Sequence, residues 1–153
     1  MPAVGDVKLN PGRADYPEEG YRSRFDHATE KAVPGYYEVI LDDYGIKAQL
    51  TATQRTGIHK YTFPKGKDGH LILDLVHGIY NYDGKVLWAN LRVENDTLLT
   101  GYRVTNGWAR TNYTYFAISL SQPIKDYGYK DKEKVLYNCL LYTSPSPRDI
   151  SGS

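Results

Sequence analysis

The sequence predicts an all-β domain, an incomplete antiparallel β-sandwich, and three observations carry that expectation. Short stretches alternate apolar and polar residues with period two, as Ala48, Leu50 and Ala52 do against Gln49, Thr51 and Thr53. Turn formers punctuate them closely, with 14 glycines and 8 prolines in 153 residues. Tyrosine outnumbers phenylalanine 15 to 3. That bias suits half-buried strands, where the ring packs and the hydroxyl reaches water or a polar partner; stacking on sugar rings is the sharper alternative.

Taken in order, residues 1–35 read as loop. Asn10-Pro11-Gly12, Tyr16-Pro17 and Val33-Pro34-Gly35 are closely spaced turn signals, and a short helical turn fits Asp26 to Lys31 with Asp26 as N-cap. Tyr36 to Leu41 is the first strand, with Tyr37, Val39 and Leu41 on one face and Glu38 on the other. Asp42-Asp43-Tyr44-Gly45 turns the chain into the strand around Ala48 to Thr53, and Ile58 to Phe63 follows. His70 to Val76 is apolar on both faces, as expected of a central strand. Asn81-Tyr82-Asp83-Gly84 reads as a hairpin turn into Val86 to Val93. Glu94-Asn95-Asp96 turns into Leu98 to Val104, and Trp108 to Leu120 closes the series with Phe116, Ile118 and Leu120 on one face. This makes about seven strands, the count of a sandwich. Beyond Gln122-Pro123 the alternation decays into the charged stretch Lys125 to Lys134.

Charge excludes some partners. With 19 basic and 18 acidic residues the net charge is +1, which supplies no field for nucleic acid or an anionic membrane. No apolar run is long enough to span a bilayer.

The end of the chain has a different character. Cys139-Leu140-Leu141-Tyr142-Thr143-Ser144-Pro145-Ser146-Pro147-Arg148-Asp149 resembles, residue for residue, the in-frame translation of a transposon-based sequencing adaptor. The expected organisation is therefore a partial sandwich over 1–138 and a non-native tail over 139–153, in which Cys139 has no redox meaning.

Residues 2 to about 128 resemble the N-terminal domain of glycoside hydrolase family 92, the exo-acting α-mannosidases. The residues that carry the resemblance are Val4-Gly5-Asp6-Val7-Lys8-Leu9, Tyr21-Arg22-Ser23-Arg24-Phe25-Asp26-His27 and Glu30-Lys31-Ala32-Val33-Pro34-Gly35-Tyr36-Tyr37. Leu50-Thr51-Ala52-Thr53, His59-Lys60-Tyr61-Thr62-Phe63-Pro64 and Gly107-Trp108-Ala109 continue it in order. The family has serine where this chain has Asp26. The resemblance implies a two-domain enzyme, a β-sandwich followed by an (α/α)6 barrel, of which this chain is a piece broken at both ends. It also implies hydrolysis of terminal α-mannosyl residues of glycans with inversion, aided by calcium whose ligands lie mostly in the barrel, in an exported protein of the periplasm or cell exterior.

The residues themselves place no catalytic pair. Inversion needs an acid with a raised pKa and a carboxylate base with room for water between them. Asp42-Asp43 and Glu18-Glu19 lie in turn and loop signals that read as solvated surface. Asp68, Asp83 and Asp96 are scattered over separate turns, so no calcium loop appears. His70 and His77 fall on opposite strand faces and make no ligand pair, leaving no metal residues to name. The best candidate is the loop from Arg24 to Glu30, where Arg24, His27 and Glu30 gather a cation, an imidazole and a carboxylate before the first strand. These residues either touch a mannose hydroxyl or the missing barrel, or merely brace the strand entry. Trp108 is read as a core anchor, with a sugar-stacking platform as its alternative. A free-standing carbohydrate-binding or purely structural sandwich remains the competing reading of the whole.

Overall fold

The computed structural model describes residues 1–13, 15–78, 84–131 and 134–137. The expected all-β, antiparallel class is what the chain adopts. Its regular elements among these residues are eleven strands and two single 3₁₀ turns, Pro17–Glu19 and His27–Thr29. The chain divides into two compact units, Met1–Asp74 and Leu75–Ser153, each described by itself.

The first unit is built on a four-stranded meander. β2 (Lys31–Val33), β3 (Tyr36–Leu41), β4 (Ile46–Ala52) and β5 (Gly57–Thr62) pair in sequence order. The β2–β3 turn needs only two residues. Pro34 presets its own φ, and Gly35 takes the φ of +79° that the second corner demands. The register aligns Val39 with Ala48 and Leu41 with Ile46, so one face is apolar, while Glu38 opposes Gln49 on the other. Burial fades along that apolar face: Ile46 is 0% exposed and Ala48 5%, Leu50 is half-buried and Ala52 is open. A second, two-stranded sheet pairs β1 (Pro2–Val4) with β6 (Gly69–Leu71). Ala3, Val4 and Tyr21 complete the unit's core, and the Tyr21 hydroxyl donates to Asp74.

The second unit carries a three-stranded meander, β7 (Val86–Asn95), β8 (Leu98–Thr105) and β9 (Asn112–Ser119), and a hairpin of β10 (Gly128–Asp131) with β11 (Lys134–Tyr137). An Asx turn joins β7 to β8: the Asn95 side chain accepts from the Thr97 backbone N–H at 2.9 Å and its hydroxyl at 3.1 Å. Gly101 opposes Phe116 across β8 and β9. A Cβ there would lie 2.5 Å from the Phe116 ring and 2.4 Å from the Asn90 carbonyl oxygen, so the strands meet closely only because the side chain is missing.

Four expectations need correction. The segment His70 to Val76 is not a central strand. Gly69–Leu71 pairs with β1 alone, Ile72 exchanges backbone hydrogen bonds with Met1 at 2.8 and 2.6 Å, and Leu71, Leu73 and Val76 are exposed. Residues 1–35 are not all loop, since β1 and β2 lie there; three-residue strands are too short to show a period. The charged stretch after Gln122 holds the β10–β11 hairpin. The last long strand begins at Asn112 rather than Trp108, and Trp108, far from anchoring a core, is fully exposed. The helical turn capped by Asp26 is present as His27–Thr29, with the Asp26 carboxylate accepting from the Ala28 N–H at 2.8 Å. The hairpin residues Asn81 to Asp83 and the tail from 139 lie outside the described residues.

Candidate functional site

The loop before β2 is shaped by its own polar groups. Asp26 caps the 3₁₀ turn, whose end is closed by the Glu30 N–H donating to the His27 carbonyl at 3.2 Å. Three residues per turn carry Glu30 back over His27, and His27 Nδ1 lies 2.6 Å from Glu30 Oε2. The second carboxylate oxygen of Glu30 accepts from the Tyr37 hydroxyl at 2.6 Å. Glu30 is thus held between an imidazole and a phenol. Both hydrogen bonds, the Tyr37 one foremost, keep its carboxyl below the ordinary glutamate range, and the same bond raises the Tyr37 phenol. The His27 ring stands 84% exposed and meets the Phe25 ring edge-on at 5.3 Å.

Arg24 is engaged elsewhere. Its backbone N–H donates to Asp43 Oδ2 at 2.6 Å, its Nε to Oδ1 at 3.0 Å, and its Nη2 also pairs with Oδ1. The Asp43 N–H in turn donates to the Ser23 hydroxyl at 3.2 Å. Asp43, read from its turn context as solvated surface, instead clips the loop to the β3–β4 turn, and its side chain is only 19% exposed. The Arg24 guanidinium holds its carboxyl below the usual aspartate range. A cleft of about 630 Å³ borders this clip, lined in part by Asp6, Lys8, Asp43, Tyr44, Lys67 and Asp68.

Of the four candidates, then, Arg24, His27 and Glu30 belong to one loop but to two separate clusters, Arg24 with Asp43 and His27 with Glu30 and Tyr37. Trp108 belongs to the second unit. Reading the sequence missed Tyr37, although it stands within the Pro-Gly-Tyr-Tyr block. It also missed a network on the other face of the meander. There Glu38 accepts from the Tyr36 hydroxyl, from Gln49 Nε2 at 2.8 Å and from Lys47, also at 2.8 Å. Together these bonds, Lys47 foremost, hold the Glu38 carboxyl at about 2. Glu30, Glu38 and Asp43 are all shifted toward stronger acidity, which suits fixed carboxylates and not a proton donor. Burial lowers the His70 pKa, and its Nε2 has no hydrogen-bond partner among the described residues.

Among the described residues no group of three or more His, Cys, Asp or Glu side chains is placed to hold a metal ion. The described residues thus gather no cluster of acidic side chains for a calcium ion, which takes six to eight oxygens.

Comparison with known families identifies what this scaffold belongs to. The model of the glycosyl hydrolase family 92 N-terminal domain matches residues 1–148. The chain belongs to glycoside hydrolase family 92. The matched range takes in most of the adaptor-like stretch as well as the β-rich part. Among solved structures, the family GH92 alpha-mannosidase BT3965 from Bacteroides thetaiotaomicron superposes with a TM-score of 0.78 at 36% identity, over 94% of this chain and 19% of that one. The same enzyme in complex with mannoimidazole gives 0.70 at 32% identity, with the same coverage. The chain thus spans about a fifth of the length of these relatives. No curated protein matches it.

Proposed function

We propose that this chain is the scaffolding N-terminal part of a GH92 enzyme that removes terminal α-linked mannose from glycans with inversion, and that it contributes no catalytic acid or base. The observation that carries this reading is the pairing of a family match over residues 1–148 with three carboxylates, Glu30, Glu38 and Asp43, shifted in the wrong direction for acid catalysis. An inverting enzyme needs one carboxyl kept protonated and a second about 6.5–9.5 Å away to activate water. Glu30, Glu38 and Asp43 are each already committed to ion pairs or hydrogen bonds. On this reading the acid, the base and the calcium site lie in the rest of the enzyme, an (α/α)6 barrel. The enzyme works on glycans outside the cytoplasm.

The test uses the full-length protein that contains this chain. Hydrolysis of α-mannobiose followed by NMR is expected to show β-mannose as the first product. A calcium chelator is expected to abolish turnover, and added calcium to restore it. Initial release of the α-anomer, or turnover indifferent to the chelator, would contradict the reading.

A further inference from the structure

Residues 22–30 join the buried Tyr21 to β2, yet none of them is buried, and Phe25 stands 47% exposed. Apolar packing therefore contributes little to holding this segment in place. Two carboxylates hold it instead, one toward each end of β3. Asp43, in the β3–β4 turn, accepts from the Arg24 backbone N–H at 2.6 Å, from Nε at 3.0 Å and from Nη2. Beside it the Arg24 carbonyl accepts from the Asp42 N–H at 3.0 Å. Glu30, in the segment itself, accepts from the Tyr37 hydroxyl on β3 at 2.6 Å and meets His27 Nδ1 at the same distance.

Both ties run from donors onto an anion. Arg24 offers Asp43 only N–H groups, and a guanidinium has no lone pair to accept from a neutral carboxyl. Protonation thus takes from each tie the charge that strengthens it. Both carboxyls sit below their ordinary range, Asp43 through Arg24 first and Glu30 through Tyr37 first. A carboxyl depressed in this way stabilises the fold above its unfolded pKa and ceases to as the pH falls through the folded one, so both ties are lost on the acid side. Lys8 and Lys67 border Asp43 together with Asp6, Asp68 and Tyr44, while Glu18 and Asp42 act on Arg24 through space. Two cations and two anions thus flank that tie in the cleft. Glu30 is met by His27 from its own turn and by Tyr37 from β3.

The sheet itself depends on neither tie. Its backbone ladders carry no titratable group, and Val39, Ile46 and Ala48 are buried on one face. On the other face Glu38 titrates only at about 2. We infer that residues 22–30 form an acid-released strap, which protonation of Asp43 and Glu30 frees from β3 while the four-stranded sheet stays folded. The strap carries Arg24, His27 and Glu30, so their placement becomes sensitive to acid.

Hydrogen exchange of the full chain, read residue by residue by NMR from pH 7 toward pH 3 as protection relative to the unstructured rate, tests this. Protection of the Arg24, Glu30 and Asp42 N–H groups is expected to fall with pH while amides of β3 and β4 keep theirs. Asp43→Asn and Glu30→Gln, which remove the charge and keep the shape, should each lower strap protection about tenfold at pH 7. The double variant should show that low protection at every pH. Strap and sheet amides losing protection together, in the native chain or in the variants, would overturn the inference. So would variants that protect the strap as the native chain does, or a double variant that keeps the native pH dependence.

Discussion

Glu38 shows how a single side chain can be fixed by its neighbours on a strand. Alternation along β3 puts it on the face opposite Val39, and register then sets it against Gln49, with Lys47 two residues away on the same face of β4. Its carboxyl titrates at about 2 in the fold, against 4.5 for an ordinary glutamate. A carboxyl depressed by folding adds stability above the unfolded pKa and loses it as pH falls through the folded one. The contribution should therefore be complete above 4.5 and vanish toward about 2. Thermal melting of the native chain and Glu38→Gln across that window is expected to show a gap that closes as the pH drops. A gap constant from pH 6 to pH 2 would mean that the ionised network does not stabilise the sheet. The face of Glu38 could be read from period two alone; its partners could not, because Lys47 and Gln49 enter only through the β3–β4 register. Asp43 was misread for a related reason. A turn context implies solvent, and nothing local says that an arginine nineteen residues earlier folds back onto it.

At the scale of elements, the strands with at least two full alternations were legible: β3, β4, β5, β7 and β8 stand close to where their patterns place them. What failed were elements whose identity depends on a partner. β1 and β2 have three residues each, and β10 is charged enough to read as loop. His70 to Val76 has the apolar content of a central strand, but a central strand needs a neighbour on each side, and Gly69–Leu71 lies in a two-stranded sheet with β1. Gly101 marks the opposite case, a residue whose absence of side chain lets an element form. The Asn90 carbonyl and the Phe116 ring occupy the space a methyl group would need, and the carbonyl is backbone that cannot rotate aside. Gly101→Ala is expected to destabilise the chain by about 1–3 kcal/mol in urea unfolding. A change near zero would show that β8 moves freely in its sheet.

At the scale of the whole molecule, the family could be recognised from residue blocks, and the structure brings two of those blocks side by side. The Pro-Gly-Tyr-Tyr and His-Lys-Tyr blocks, 22 residues apart from Tyr37 to His59, become lateral neighbours across β4. Trp108, in contrast, offered no local signal for its exposure, since a tryptophan after Asn106-Gly107 fits either a core or a surface. Tyr113 and Tyr115 stand on β9 with their rings 6.5 Å apart and are 59% and 72% exposed, so part of the tyrosine excess does not pack inside this chain. The central claim is that this GH92 domain carries structure but no catalytic pair. The most direct measurement is mannose release from an aryl α-mannoside by the chain alone, with and without added calcium. Release no faster than the buffer blank under both conditions is expected. Calcium-dependent turnover above that blank, proportional to protein concentration, would contradict the claim.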